Sequence, residues 1–341
     1  MEKMKKEKPT IKDIARYADV SIATVSRYIN KTRNLNEETA ARIQGAIDHF
    51  GYIPNDNARA LRSRNERVIG IIFPDISNSF FAKLFKIVEE LLFEKKIFVL
   101  LCNTDENGEK EEEYLYRLLQ KRVDAIVIAP TGLNQELLAT ISKTTPVIIF
   151  DRNQDNIAAD QLYANDFSSS SLLAGYAVDH GHRRIAYSIG VPNSSAAKHR
   201  YEGFISAMKE QGISETEYQI LYSQDEMTCR REFRELLLQD QVTALIITSP
   251  KKLNWFLMER NQLCLKGYQT ELSFAGYATQ NEFDICDIPL TGMLQKEEIY
   301  ATKLAKMIID RLERPNGKAK SVELKLAFRK GNSIKTLIQS E

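Results

Sequence analysis

Apolar positions recur along the chain with two different periods, and the change falls near residue 67. Over residues 10–62 they are sparse and helically spaced, with no run that reads as a strand. Ile11, Ile14, Ala15 and Ala18 form one stripe, Val25 and Ile29 a second, and Ala40, Ile43, Ala46 and Ile47 a third. Thr10 followed by Asp13 has the form of a capping box that starts a helix. Asp19 suits a turn position with left-handed backbone, and Ser21 suits the cap of a second helix. A third helix is expected over residues 37–50. Two short helices joined by so tight a turn predict a helix-turn-helix, whose second helix enters the major groove. Its outward face carries Ile22, Ala23, Ser26 and Arg27.

From residue 68 the apolar residues come in continuous runs. Val68-Ile-Gly-Ile-Ile-Phe73 is the first, followed by 97–103, 123–129 and 146–150, then by 184–189, 218–222, 244–248 and 272–276. Such runs mark strands covered on both faces, as in parallel sheets with crossover helices. The intervening segments agree, since residues 80–95 place Phe81, Leu84, Phe85, Val88 and Leu92 at helical spacing. Eight runs in two groups of four predict two doubly wound subdomains, with a ligand cleft beyond the carboxyl ends of their strands.

Composition is that of a globular protein: 341 residues, 43% hydrophobic and 27% charged, enough for two or three units. No run approaches the ~20 apolar residues of a membrane span. Residues 1–8 are mostly Lys and Glu, against a secretory signal, so a cytoplasmic, nucleoid-associated protein is expected. The four cysteines lack CxxC spacing, which predicts reduced thiols and no metal site. The net charge of +1 is unevenly spread. Residues 1–67 hold fourteen Lys and Arg against nine Asp and Glu, leaving −4 for the remainder. A basic small end on an acidic body suits a phosphate-binding head.

The motifs of an enzyme are missing: no GxGxxG after a strand, no GxxxxGK[ST], GxSxG or HExxH. No catalytic residue and no cofactor are expected. The serine run at 168–171 reads as a helix start after Asp166.

Residues 10–30, with Gly51-Tyr-Ile-Pro-Asn55 and Ala58-Arg-Ala-Leu61, resemble the lactose-repressor (LacI/GalR) family. The likeness continues through Pro74-Asp-Ile-Ser-Asn78, Phe150-Asp-Arg152, Gly181-His-Arg-Arg-Ile185 and Arg200-Tyr-Glu-Gly-Phe204, and so spans nearly the whole chain. It implies an α + α/β fold: a three-helix head at 8–53, a hinge helix and linker at 54–66, and an effector-binding and dimerisation domain at 67–341. That domain would divide into periplasmic-binding-protein-type subdomains, 67–166 with 295–326 and 167–292 with 327–341. The resemblance places Ile22, Ala23 and Arg27 at base-reading positions, and Thr10, Ser21, Thr24, Ser26, Asn30 and Asn55 on phosphates. Ala58 and Leu61 would belong to a hinge helix at 55–63, with Leu61 wedged into the minor groove.

Effector contacts implied by the likeness are Phe73, Asn78, Phe80, Asp151, Arg200, Met227, Ser249 and Gln295. Arg200 could grip two oxygens at once. Thr248-Ser249-Pro250 and Ala278-Thr279 stand where family members often carry the acid and amide groups that hold sugar hydroxyls. With Lys251 and Arg152 near the cleft, this points to a sugar acid or phosphorylated sugar, and the first half resembles the branch sensing keto-deoxy sugar acids. The function implied is a repressor of carbohydrate genes, a homodimer on a pseudo-palindromic operator. The alternatives are a sugar-binding or sugar-kinase-like protein with a DNA-binding head.

Overall fold

The computed structural model describes residues 9–29, 35–52, 67–239 and 241–337. The chain divides into two compact units, Met1–Glu66 and Arg67–Glu341.

The first unit holds α1 (Ile11–Tyr17), α2 (Ile22–Ile29) and α3 (Glu37–Phe50). Their shared core is Ile14, Ala15, Ala18, Val25, Ile43 and Ala46. The Thr10 N–H and hydroxyl both donate to the Asp13 carboxylate, at 2.9 and 2.6 Å. Asp19 turns the chain with φ 50°, and the Thr24 N–H donates to Ser21 Oγ at 3.1 Å to start α2. Gly51 closes α3 in left-handed backbone, φ 57°. The hinge helix and linker expected at 54–66 lie outside the described residues.

The second unit contains two six-stranded sheets. The first lobe is built from β1 (Arg67–Phe73), α4 (Ser79–Phe93), β2 (Ile97–Asn103), α5 (Gly108–Gln120), β3 (Ala125–Ile128), α6 (Gln135–Ile141), β4 (Val147–Asp151) and β5 (Asp160–Ala164). The second follows with α7 (Asp166–Asp179), β6 (Ile185–Ser188), α8 (Ser195–Glu210), β7 (Tyr218–Leu221), α9 (Glu226–Leu238), β8 (Ala244–Ile247), α10 (Pro250–Leu265), β9 (Ser273–Ala278), α11 (Gln280–Ile285) and β10 (Thr291–Leu294). The chain then returns through α12 (Glu297–Glu313), packed on α4, to β11 (Ser321–Leu324) in the first sheet and β12 (Ala327–Arg329) in the second.

Strand orders are β11-β5-β4-β3-β1-β2 and β12-β10-β9-β8-β6-β7, parallel throughout except β12. Alternation along the strands feeds two cores per lobe. In β3, Ala125 and Val127 join the core beneath α4, while Ile126 and Ile128 pack with Leu115 and Leu118 of α5. In the second lobe Ile185 and Tyr187 face Phe204 of α8, whereas Leu245 and Ile247 face α9 and α10. Each sheet is thus covered on both faces, which is why its strands read as unbroken apolar runs.

The expected eight strands are twelve. β5, β10, β11 and β12 mix polar with apolar residues and are short, so periodicity alone does not mark them. They matter because the chain crosses between lobes beside them, at residue 165, at 295–296 and at 325–326. Asn165 ties two crossings together: its Oδ1 accepts from the Leu326 N–H at 2.9 Å.

Helices α7 and α8 approach closely at Gly203, where an added Cβ would stand 2.2 Å from the Phe167 carbonyl oxygen. Gly203→Ala is therefore expected to destabilise the second lobe by about 1–3 kcal/mol, read as a lowered Tm.

Candidate functional site

In the head, α2 is held from beneath and from one side. Val25 is fully buried, and the Tyr28 hydroxyl donates to Gln44 Oε1 of α3 at 2.9 Å, while Gln44 Nε2 donates to Asp48. This leaves Ile22, Ala23 and Arg27 exposed together on one face, with Thr24 and Ser26 half-buried beside them. Ser21 and Thr24 share a hydroxyl hydrogen bond of 2.8 Å at the start of the helix, where its free N–H groups favour a phosphate. The Thr10 hydroxyl hydrogen is committed to Asp13, so in this geometry Thr10 offers a phosphate no hydroxyl donor. Asn30, Asn55, Ala58 and Leu61 lie outside the described residues. The Tyr28–Gln44–Asp48 chain, which fixes the rotation of α2 against α3, was not foreseen, because nothing at that spacing marks it in the sequence.

In the second unit both sheets have strand order 2-1-3-4-5, which reverses between β1 and β3 and between β6 and β8. Crevices form outside the carboxyl ends of such strands. A cavity of about 550 Å³ opens there, lined from both lobes. Asn78, Phe80, Asp151, Arg200, Ser249 and Gln295 all line it. Two expected residues do not. Phe73 is fully buried against Phe81 and Phe150, because its place in β1 turns it into the sheet core. Met227 is 81% exposed in the first turn of α9, and the cavity takes Gln224 and Asp225 from that loop instead.

Four helices begin at the cavity wall. Asn78 caps α4, Ser194 caps α8, Asp225 caps α9 and Ser249 caps α10, each accepting from a backbone N–H of its own first turn. The positive ends of four helix dipoles therefore converge on one space, that of α9 already met by the Asp225 carboxylate.

Arg200 is buried, and its Cζ lies 3.9 Å from the Tyr277 ring centroid. Its Nε donates to Asp166 Oδ1 and its Nη1 to the Thr248 carbonyl, both at 2.6 Å. The two-oxygen grip expected of Arg200 is thus largely spent inside the protein, and Nη2 alone has no partner among the described residues. Burial pushes the Asp166 carboxyl up to about 6 although Arg200 opposes the shift. Asp151 ends β4 in left-handed backbone, φ 65°. Its carboxylate has no hydrogen-bond partner among the described residues, and burial raises its pKa against the pull of Arg200 and Arg152. Arg152, expected to serve an anion, instead grips Glu106 through both terminal nitrogens at 2.6 and 2.7 Å. Lys251 reaches across the cleft to Asp75 at 2.5 Å, and the Ser79 hydroxyl to Glu282 Oε1 at 3.1 Å. Phe80 stacks parallel to Phe150 with centroids 6.1 Å apart, so it serves both core and cavity wall. Asp166, Tyr277 and Asp75 were missed as site residues, because their roles come from partners distant in sequence. A shallower groove of about 610 Å³ between α8 and β7 has no buried charge in its lining.

Comparison with known proteins identifies what this arrangement belongs to. Residues 10–55 match the family described as bacterial regulatory proteins, lacI family. Residues 66–250 match the periplasmic binding proteins and sugar binding domain of that family. Residues 174–334 match a periplasmic binding protein-like domain. The HTH-type transcriptional repressor PurR of Histophilus somni (strain 129Pt) is 30% identical over 338 residues, 96% of this chain and 99% of the relative. That of Vibrio vulnificus (strain CMCP6) is 30% identical over 308 residues, 89% of this chain and 92% of the relative. In fold the chain is similar to the lac repressor dimer bound to operator and the anti-inducer ONPF, with a TM-score of 0.74 at 18% identity, over 96% of this chain and all of that one. It is also similar to a LacI family regulator from Enterococcus faecium with bound ribose, TM-score 0.71 at 24% identity, over 80% of this chain and all of that one. These matches define a DNA-binding regulator controlled through a periplasmic-binding-protein-type sensor. The chain belongs to the LacI family. It is a transcriptional repressor that binds DNA, and not an enzyme. Among the described residues no helix is long and apolar enough to cross a membrane.

Proposed function

We propose that this repressor controls carbohydrate genes and that its effector is a sugar-type molecule bearing an acidic group, a sugar acid of the keto-deoxy kind or a phosphorylated sugar. The observation that carries this reading is the convergence of four helix N-termini on a cavity that also holds Asp151, a carboxylate with no hydrogen-bond partner among the described residues and 3.9 Å from Arg152 Nε. The helix ends and Arg200 Nη2 attract an anion, while Asp151 accepts from hydroxyls. A homodimer would present two copies of α2 to a pseudo-palindromic operator, because two-fold protein symmetry demands two-fold DNA symmetry. Cavity occupancy biases the relative orientation of the lobes, and through it the hold of the heads on DNA. Only a ligand with different affinity for the two states can do this.

A thermal-shift screen tests it with matched sets: a sugar, its acid and its phosphate. A ligand at a hundredfold excess over its Kd is expected to stabilise the sensor by about 2.7 kcal/mol. The acid or phosphate should do so at concentrations where the neutral sugar has no effect. Stabilisation by neutral sugars alone would remove the acidic group from the reading.

A further inference from the structure

Four cationic side chains line the cavity: Arg152, Arg200, Lys251 and Lys252. Three of them face a carboxylate of the protein, Glu106, Asp166 and Asp75 respectively. Lys252 is different. It lies in the first turn of α10, is only 4% exposed, and has no carboxylate within ion-pair distance among the described residues. Its ammonium donates to the carbonyls of Ile189, at 2.6 Å, and Ser223, at 2.7 Å, just past the ends of β6 and β7. Two of its three N–H groups are thereby used, and the neighbouring Gly190 and Gln224 line the cavity with it. Burying a positive charge against neutral carbonyls is costly unless an anion completes the arrangement.

We propose that Lys252 is the specificity-determining residue of the effector cavity, supplying the charge that receives the carboxylate or phosphate of the ligand. This rests on the reading of the cavity as the effector site. The position suits it, because the free N–H groups at the start of α10 add to the attraction of the ammonium. The titratable groups that face Lys252 are Cys229 and Glu232 of α9. Burial lowers the Lys252 pKa to about 8, and burial raises that of Cys229. A bound anion raises the Lys252 value again, so binding takes up a proton above pH 8.

The probe is sulfate, a dianion throughout the range used, titrated into the full chain against chloride at constant ionic strength. Wild-type affinity should be level below about pH 7, be about halved by pH 8 and then fall by up to about tenfold per pH unit as the free ammonium loses its proton. Lys252→Met should bind at least about tenfold more weakly at pH 7 and show no such fall, while Lys252→Arg should keep the affinity and lose the pH dependence. Equal sulfate binding by wild type and Lys252→Met, or no binding to the wild type, overturns the assignment. Should Lys252→Met not fold, Lys252→Gln takes its place in the same titration, and sulfate affinity equal to wild type in it is the contrary result. Operator selection by the same wild-type protein separates the readings. Its loss sinks the proposed function, whereas intact selection without a sulfate response sinks only the role of Lys252.

Discussion

Arg27→Ala is expected to lose about 1–3 kcal/mol of discrimination between operator and mismatched DNA, with a much smaller loss on random duplex. The expectation follows from where α2 is anchored. Val25 fastens it to the core, the Tyr28–Gln44 bond fixes its rotation, and Ser21 fixes its start, so Arg27 stands exposed beside Ile22 and Ala23. A guanidinium on such a face can meet the O6 and N7 acceptors of a guanine together, which no other base pair presents in that pattern. Competition binding at fixed salt measures it. Equal weakening on operator and random DNA would move Arg27 to the phosphates, which fix position without reading sequence.

Arg200→Ala should have the largest effect on the sensor. It removes the partner of buried Asp166, the contact to the Thr248 carbonyl and the cation stacked on Tyr277. Leaving one member of a buried pair uncompensated costs about 3–5 kcal/mol. Asp166→Asn in the same chain should recover part of this, because it removes the stranded charge. Response to effector should be lost in both variants, while the separate head unit retains its operator contacts. A stable Arg200→Ala sensor with full ligand response would take Arg200 out of the cavity chemistry. The pair also predicts a pH effect. The folded Asp166 value, about 6, lies above its ordinary one, so the folded sensor takes up a proton as pH falls through 6. That contribution favours the folded state at low pH and is lost as pH rises toward 6. Effector affinity should move the other way, weakening below pH 6 as protonated Asp166 relaxes its hold on Arg200.

Much of this architecture can be read from local signals, and the exceptions share one cause. Asp19 in left-handed backbone, the Ser21 cap and the third helix at 37–50 depend on neighbours in sequence, and each was expected. The two-lobed design was legible because strands covered on both faces must be apolar throughout. Asp160–Ala164 and Thr291–Leu294 escaped notice because a run carrying Asp, Gln, Thr or Gly is equally at home in a loop. In the cavity, Asn78 and Ser249 were expected from the family likeness as effector contacts, and their role as helix caps was not read from the sequence. Nor was the fate of the cations. Arg152 is taken by Glu106, 46 residues away, and Arg200 by Asp166, 34 residues away, pairings that only the folded sheet brings about. Met227 fails for the opposite reason, since a first-turn residue faces wherever the preceding loop directs it.

The most direct measurement is selection of binding sites from a random duplex library by the full-length dimer at moderate salt, repeated with the cavity ligand found by thermal shift. A single pseudo-palindrome should be enriched, bound about a thousandfold or more above bulk genomic fragments. The ligand should change that affinity by about 5–150-fold. Binding of all duplexes alike, or operator affinity indifferent to a ligand that fills the cavity, would contradict the account.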